Sequence, residues 1–551
     1  MLNASRFRHD STQSSRLLLI AILFLAFVLR LTCIIVFTGP IDPEGAEYAR
    51  IAENLLNGNG YRGIATEGAQ LFAPPLFPYL IAALTLFTGD AEIAGRSISL
   101  ILGTLLVLPV YALTSQLYNR AAAHIAALLV AAHPLLVRFS SMVYCEITYL
   151  TLIVTAILGS VYVVRAPTTR NLLVTGALYG MAYLVRPEAV AIMAAVVVLM
   201  LLYAGLTDRQ SLLRTVLRVS LIPVMFFVCA TPSIIWLYSQ TGSLRLEAKL
   251  PLNYTIGKVR LEGCDLNAQY GIDPDLTERG VWMKPNIVTI RNASIDRVEL
   301  LRHIAARAPN IAENAIYTVT ANFELGSPPL FAFAVLGLFA RPWSRSLAMY
   351  QLFAISILAL SVFATILICF FSIRFYLITV PFFCIWASVG ILELSRWATK
   401  TAVLMRLTPR RSPVLAKVTC ALAVATIVAC SAKADVVEFT TVNADARPVK
   451  VAGRWLTSHA SRPVKVADTS TILAFHAQAS YVPFPYCDGP TALRYFDKKG
   501  VNYIVVRDSD YDSRPYVNAW IENGIPDARA TLIYTDETST GKRIRIYEWA
   551  R

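Results

Sequence analysis

The residues best placed to do chemistry in this chain are charged side chains at the edges of apolar runs. The stretch GPIDPEGAEYARIAENLLNGNG, just past the first long apolar run, places Asp42, Glu44 and Glu47 within six positions, and the segment 39–89 closes on LFAPPLFPYLIAALTLFTG. Glu146 interrupts SSMVYCEITYL between two apolar runs, Arg186 and Glu188 flank a proline in AYLVRPEA, and Arg374 stands beside Phe375 and Tyr376 in FFSIRFYLITVP. An ionised carboxylate costs roughly 2.5–3.5 kcal/mol at the centre of a membrane span and less near an interface, so Glu146 is expected to face a polar cavity. A guanidinium at headgroup level presents a planar fork of donors that suits phosphate. The pattern is that of a catalytic loop in a membrane enzyme. Asp42, Glu44 and Glu146 are the candidate catalytic carboxylates, and Tyr48, Arg186, Glu188, Arg374 and Tyr376 the candidate substrate contacts.

Each of these residues also has a plainer role open to it. Asp42 suits a helix N-cap, Pro43 the first helical position and Gly58 the stop. Tyr48, Ile51, Ala52 and Leu55 recur at helical spacing and would form a buried face, with Glu44 one turn before Tyr48 on that face. Asp42 could therefore be a cap alone, while Glu44 and Glu47 favour the helix dipole. Glu146 could be a solvated span end, and Arg186 and Glu188 an ion pair closing a tight turn. The aromatics beside Arg374 could be interface anchors.

The elements that must position these groups are membrane helices. Of 551 residues, 56% are hydrophobic and 16% charged, and the mean hydropathy is +0.54. Apolar runs of around twenty residues recur too often for a soluble core. The net charge of +14 sits largely in short Arg/Lys clusters between apolar runs, where it fixes orientation, so it does not point to nucleic acid. Most of the nine cysteines lie inside apolar runs and no CxxC or Cys/His spacing marks a metal or redox site. Leu17 to Phe37 follows three arginines with no convincing cleavage site after it, and is expected to be a retained first span.

Apolar segments fall at about 17–37, 75–88, 96–118, 121–139, 147–164, 171–185, 188–206, 216–239, 328–340, 346–370, 374–394 and 414–431. The 75–88 run carries Pro74, Pro75 and Pro78 at or near its start and is short of the roughly 20 residues a span needs. If it does not cross, the N-terminus, Arg120, Arg165, Arg170, Arg209, Arg214, Arg218, Arg341, Arg345 and the basic run 396–417 all face the cytoplasm. Eleven spans are therefore expected. On this reading 38–95 is the first outer loop, and 240–327 is a long outer insert with an amphipathic helix over 296–308. The polytopic α-helical membrane domain would cover 1–432. Residues 433–551, with strand-like runs at 463–470, 501–509 and 543–549 and a helical stretch at 491–500, would form a small extramembrane α/β domain.

Taken together, the acid four residues before the Tyr of EGAEYARIAENLLNGNGY, then APPLFPYL, RAAAHIAALLVAAHPLLV, the Glu of MVYCEITYL, AYLVRPEA and RFYLITVPF resemble the polyprenyl-phosphate-sugar-dependent glycosyltransferases of the GT-C superfamily, akin to protein O-mannosyltransferases and lipid A aminoarabinose transferases. The resemblance covers about 400 residues of the membrane part. It implies a catalytic base at the acid four before the Tyr, which is Glu44 here where the family usually has Asp, with Asp42 two residues earlier as the competing assignment. It implies a second acid at Glu146 and an outer-surface position for Pro74 and Pro75.

Such an enzyme would move a sugar from a polyprenyl-phosphate donor to the hydroxyl of a glycan, lipid or protein acceptor. The site would lie on the outer, periplasmic face of the cytoplasmic membrane, with the N-terminus inside and the C-terminal domain outside. The phosphate is a good leaving group, so the chemistry needs a base for the acceptor and cations for the phosphate. That assigns Glu44 or Asp42 as base, Glu146 to orient the acceptor or stabilise positive charge on the sugar, and Arg374 with Arg186 to hold the phosphate, with inversion at the anomeric carbon. No cofactor is demanded, although Asp42, Glu44 and Glu146 could hold a divalent cation. The competing classes are a transporter or flippase for a lipid-linked glycan, which would place charges near the midplane and show internal repeats, and a non-catalytic assembly subunit.

Overall fold

A computed structural model describes residues 2–37, 39–207, 212–250, 269–280, 282–292, 325, 327–340, 343–368, 373–405, 412–460, 463–508, 514–538 and 541–550, with scattered positions between 252 and 309. Of the amphipathic helix expected over 296–308, seven of the thirteen positions are described, and all seven are helical. The first twelve helices are α1 (Leu2–Thr32), α2 (Pro43–Leu56), α3 (Leu76–Thr88), α4 (Ala91–Leu105), α5 (Val107–Leu117), α6 (Arg120–Ala132), α7 (Pro134–Phe139), α8 (Cys145–Arg165), α9 (Thr169–Tyr183), α10 (Ala189–Thr207), α11 (Leu212–Val219) and α12 (Leu221–Thr241). Helices Ser327–Phe339, Arg345–Ile368, Ile373–Tyr376, Thr379–Leu404 and Ser412–His459 follow. Among the described residues six helices are long and apolar enough to cross a membrane: Gln13–Val36, Ala91–Leu117, Cys145–Arg165, Leu213–Thr241, Thr379–Leu404 and Val414–Ala432. Helix length and apolarity thus account for six of the eleven expected spans.

Local chemistry explains the element that matters most. Asp42 has extended backbone and its Oδ1 accepts from the amides of Glu44 at 2.9 Å and Gly45 at 3.0 Å, which satisfies two donors that the first turn of α2 leaves open. Pro43 opens the helix, and Gly58, at φ +74°, follows its end. Tyr48, Ile51 and Ala52 are buried as the spacing predicts. At Gly45 the helix touches the turn before α8: an added Cβ would stand 3.0 Å from the Val143 carbonyl oxygen and 2.8 Å from Ile41 Cγ1. That turn is anchored from below by Arg30, which is fully buried. Its guanidinium donates to the Ala26 and Ala131 carbonyls, both at 3.0 Å, and to Ser140 Oγ at 3.1 Å. Carbonyls left open at the end of α6 thus solvate a charge that burial would otherwise penalise heavily.

The helix Ser412–His459 runs unbroken from the last apolar segment into the C-terminal domain. There five strands, β1 (Lys465–Asp468), β2 (Ser480–Pro483), β3 (Tyr503–Arg507), β4 (Ala530–Glu537) and β5 (Arg543–Trp549), form one sheet in the order β2-β1-β3-β5-β4. β1 pairs parallel with β2 and β3, while β5 pairs antiparallel with β3 and β4. Alternation along the strands serves two cores. Val466, Val505, Ile544 and Ile546 join the core continuous with the membrane helices, and Ala467, Ile504, Val506 and Trp549 face a second core that includes Ile272 and Met283 of the long insert. The domain also grips the outer side of α2. Arg50 donates to the carbonyls of Ala479 (3.2 Å), Phe475 (3.2 Å) and Ala474 (3.4 Å), and Thr471 Oγ1 donates to the Pro43 carbonyl at 3.3 Å.

Candidate active site

The charged residues singled out in four separate stretches meet in one network. Glu44, from α2, accepts from Arg374 Nη1 on Oε2 at 2.6 Å and from the Tyr48 hydroxyl on Oε1 at 3.0 Å. Glu146, in the first turn of α8 and 2% exposed, accepts on Oε1 from Arg374 Nε at 2.7 Å, from Arg374 Nη2, and from Arg186 Nη1 at 3.2 Å. Arg186 in turn donates to Glu188 Oε1 at 2.9 Å. Arg186 therefore closes the RPE turn as an ion pair and also reaches the second acid. Aromatic faces complete the guanidinium surroundings. The Tyr144 ring lies 4.5 Å from Arg374 and the Phe375 ring 5.5 Å from Arg186, a favourable setting for a delocalised cation.

Asp42 and Glu44 differ in environment. Burial pushes the Asp42 carboxyl up to about 6, against the pull of the two amides that it caps. Burial also raises Glu44, but the charge and hydrogen bond of Arg374, the charge of Lys249 and the Tyr48 hydroxyl outweigh it and hold Glu44 well below the usual carboxylate range. Glu47 serves structure: its Oε2 accepts from the amides of Ile64 (2.7 Å) and Ala65 (2.8 Å), and its Oε1 from Gln70, which pins the loop after α2 back onto the helix. Tyr376 is fully buried, and Phe375 rather than Tyr376 lines the small cavity of about 30 Å³ beside Glu146, Arg186 and Arg374. That volume holds about one water.

Three contributors were not anticipated, Tyr144, Cys145 and Lys249, and Phe375, which could have been an interface anchor alone, joins them. Glu44, Cys145 and Glu146 bring ligand-capable atoms within 4.8 Å of one another, a grouping that could hold a divalent cation. Asp42, expected in such a set, spends one oxygen on its cap. Next to the network lies a larger cavity of about 430 Å³, walled by Tyr61, Phe72, Pro75, Tyr79 and Trp236 with Lys249 also lining it. Pro74 and Pro75 of APPLFP thus wall a mostly apolar cavity beside the ionic network.

Residues 73–236 match the family model of dolichyl-phosphate-mannose-protein mannosyltransferases. The structure of ArnT from Cupriavidus metallidurans, bound to undecaprenyl phosphate, is similar with a TM-score of 0.55 at 12% identity, over 97% of this chain and 98% of that one. The oligosaccharyltransferase AglB from Archaeoglobus fulgidus, in complex with an inhibitory peptide and a dolichol-phosphate, gives a TM-score of 0.56 at 14% identity, over 97% of this chain and 74% of that one. An Archaeoglobus fulgidus oligosaccharyltransferase in complex with Zn and sulfate gives 0.55 at 15% identity, over 96% of this chain and 73% of that one. The chain has the GT-C fold. The resemblance drawn from the sequence motifs is thereby borne out in the fold and, over 73–236, in the family model, and the chain is a membrane protein. No curated protein matches it in sequence.

Proposed function

We propose that this protein is a membrane glycosyltransferase that transfers a sugar from a polyprenyl-phosphate donor to an acceptor hydroxyl on the outer face of the cytoplasmic membrane, with inversion. The observation that carries this reading is the pairing of an ionic network, Glu44–Arg374–Glu146–Arg186–Glu188, with an adjacent apolar cavity that Lys249 also lines. A donor of this class has the same two parts, a phosphodiester and an isoprenoid tail. Its tail would lie against Trp236, Tyr79 and Pro75, and its phosphate would meet Lys249, Arg186 and Arg374.

Departure of the polyprenyl phosphate leaves positive charge on the sugar, which Glu146 is placed to stabilise. Glu44 then takes the acceptor proton. Arg374 alone makes it a weak base, but a phosphate that shares Arg374 restores its basicity where the reaction needs it. Neither the sugar nor the acceptor is specified by these side chains. Purified protein in lipid nanodiscs, given a donor labelled in the sugar, should release free polyprenyl phosphate only with an acceptor present. Glu44→Gln should abolish release with folding intact, while Asp42→Asn, which can still cap α2, should retain most of it. Full turnover in both variants would reject the assignment, and lipid movement without bond cleavage would reject the enzyme.

A further inference from the structure

A second cavity system lies at the far end of the same helix that carries Glu146. Glu146 sits in the first turn of α8 and Arg165 in the last; the helix has 21 residues and is therefore roughly 30 Å long, the thickness of a hydrocarbon core. Whatever binds near Arg165 is on the other membrane face from the ionic network.

Two cavities meet there. One, of about 520 Å³, has a polar mouth formed by Arg165, Arg396, Asn119 and Ser344, and it is bounded by the helices Ser327–Phe339, Arg345–Ile368 and Thr379–Leu404. The other, of about 270 Å³, is almost wholly apolar, with Val161, Val164, Leu202 and Phe353 among its walls. Tyr350 lines both, and Val164 is the residue before Arg165 on α8. Arg165 donates from Nη2 to the Gln116 carbonyl at 2.7 Å and makes no ion pair among the described residues. Arg396 pairs with Glu393, so the polar cavity carries a surplus positive charge from these three groups.

We propose that these two cavities together hold one anionic phospholipid of the cytoplasmic leaflet, with its phosphate at Arg165 and Arg396 and an acyl chain passing Tyr350 into the apolar chamber. Both ends of the paired cavities carry the chemistry that recognises it. Two guanidiniums at a helix-end mouth attract a headgroup phosphate, and a mostly apolar chamber that begins one residue away on α8 accepts a hydrocarbon chain. The leaflet follows from the positive-inside assignment of Arg165. A polar cavity alone would suit any phosphate, and an apolar one any alkane; their junction at Tyr350 selects a molecule that has both.

The test uses the full-length protein stripped of native lipid and offered phosphatidylglycerol, phosphatidylcholine or inorganic phosphate alone, with retained lipid read by native mass spectrometry and thermal unfolding followed alongside. Phosphatidylglycerol should be retained in preference to phosphatidylcholine, and inorganic phosphate should not reproduce its stabilisation. The double variant Arg165→Gln, Arg396→Gln should lose phosphatidylglycerol affinity by roughly 25-fold, about fivefold per arginine. Val164→Trp, which keeps both charges and fills the apolar chamber, should also lose it. That variant decides the matter should the double variant fail to fold. Equal retention of the two lipids, equal affinity in Val164→Trp and wild type, or full stabilisation by inorganic phosphate would each overturn the proposal.

Discussion

Arg374 Nη1 stands 2.6 Å from Glu44 Oε2, joining residues 330 positions apart, while the same guanidinium donates to Glu146 through Nε and Nη2. One side chain thus spaces two carboxylates from different elements, α2 and α8. A lysine has the charge but not the fork, so it can serve one acid at a time. Arg374→Lys is expected to lower kcat by about 10²–10³-fold, the scale for losing one preorganised donor. Donor binding should weaken as well. Single-turnover release of polyprenyl phosphate, compared with equilibrium binding of donor, separates the two effects. An unchanged kcat would show that the guanidinium only joins helices.

The two acids of the first loop predict different pH behaviour. The folded pKa of Asp42 is raised to about 6, above its ordinary value near 3.9. Below about pH 4 the group is protonated in both folded and unfolded chains, and between about 4 and 6 the unfolded chain ionises first, so stability falls as pH rises through that window. Heat resistance should therefore be greater at pH 5 than at pH 7 by about 1 kcal/mol from this group, part of a total of about 3 kcal/mol across the whole window, and Asp42→Asn should remove the difference. Turnover behaves otherwise if Glu44 is the base. With Glu44 held low by Arg374, kcat/KM should show no acid limb near pH 6. An acid limb there that disappears in Asp42→Asn would transfer the role to Asp42.

Legibility in the sequence followed the range of the forces involved. The Asp42 cap, Pro43 at the helix start and the Glu44–Tyr48 spacing depend on residues within one turn, and all three stand as read. Hydropathy marked α1, α8 and the helix Thr379–Leu404, and strand alternation marked β1, β3 and β5. What escaped was contact across hundreds of residues. Nothing local ties Arg374 to Glu44, Lys249 to the APPLFP cavity, or Arg50 to the carbonyls of 474–479. Tyr144 and Cys145 adjoin Glu146 and could have been added by adjacency alone. Strands β2 and β4 went unread because β2 is only four residues and β4 presents a mostly exposed or half-buried pattern with no clear apolar face.

The grouping of Glu44, Cys145 and Glu146 invites a direct test for metal. Glu146 Oε1 already receives donors from two arginines and Glu44 Oε2 from Arg374, so both acids are already charge-compensated and a divalent cation on their other oxygens would add positive charge beside two guanidiniums. Transfer is therefore expected to survive exhaustive chelation. Loss of activity with EDTA and its return with Mn²⁺ or Mg²⁺ would make Arg374 a displaceable gate over a metal site. Cys145→Ser, which keeps the volume and removes the soft ligand, should change turnover by less than about threefold if no metal is used.

The grip of Arg50 on the C-terminal domain carries the last prediction. Its guanidinium meets three carbonyls around the end of the helix Thr471–His476, pairs through Nε with Glu53 at 3.0 Å, and lies 5.7 Å from the Phe475 ring. Cations suit a helix C-terminus, and hydrogen bonds from a charged group contribute about 1.5–3 kcal/mol each before compensation. Arg50 is on α2, six residues after Glu44, so this contact fixes the helix that presents the base. Arg50→Ala should destabilise the fold by about 2–3 kcal/mol. It should also reduce kcat by roughly ten- to a hundredfold, because a displacement of about 1 Å at the reacting groups is costly, while donor KM changes little. Arg50→Lys should restore part of the stability and less of kcat, since one ammonium cannot meet three carbonyls at once. If kcat is intact in Arg50→Ala while stability falls, the C-terminal domain braces the fold without positioning Glu44.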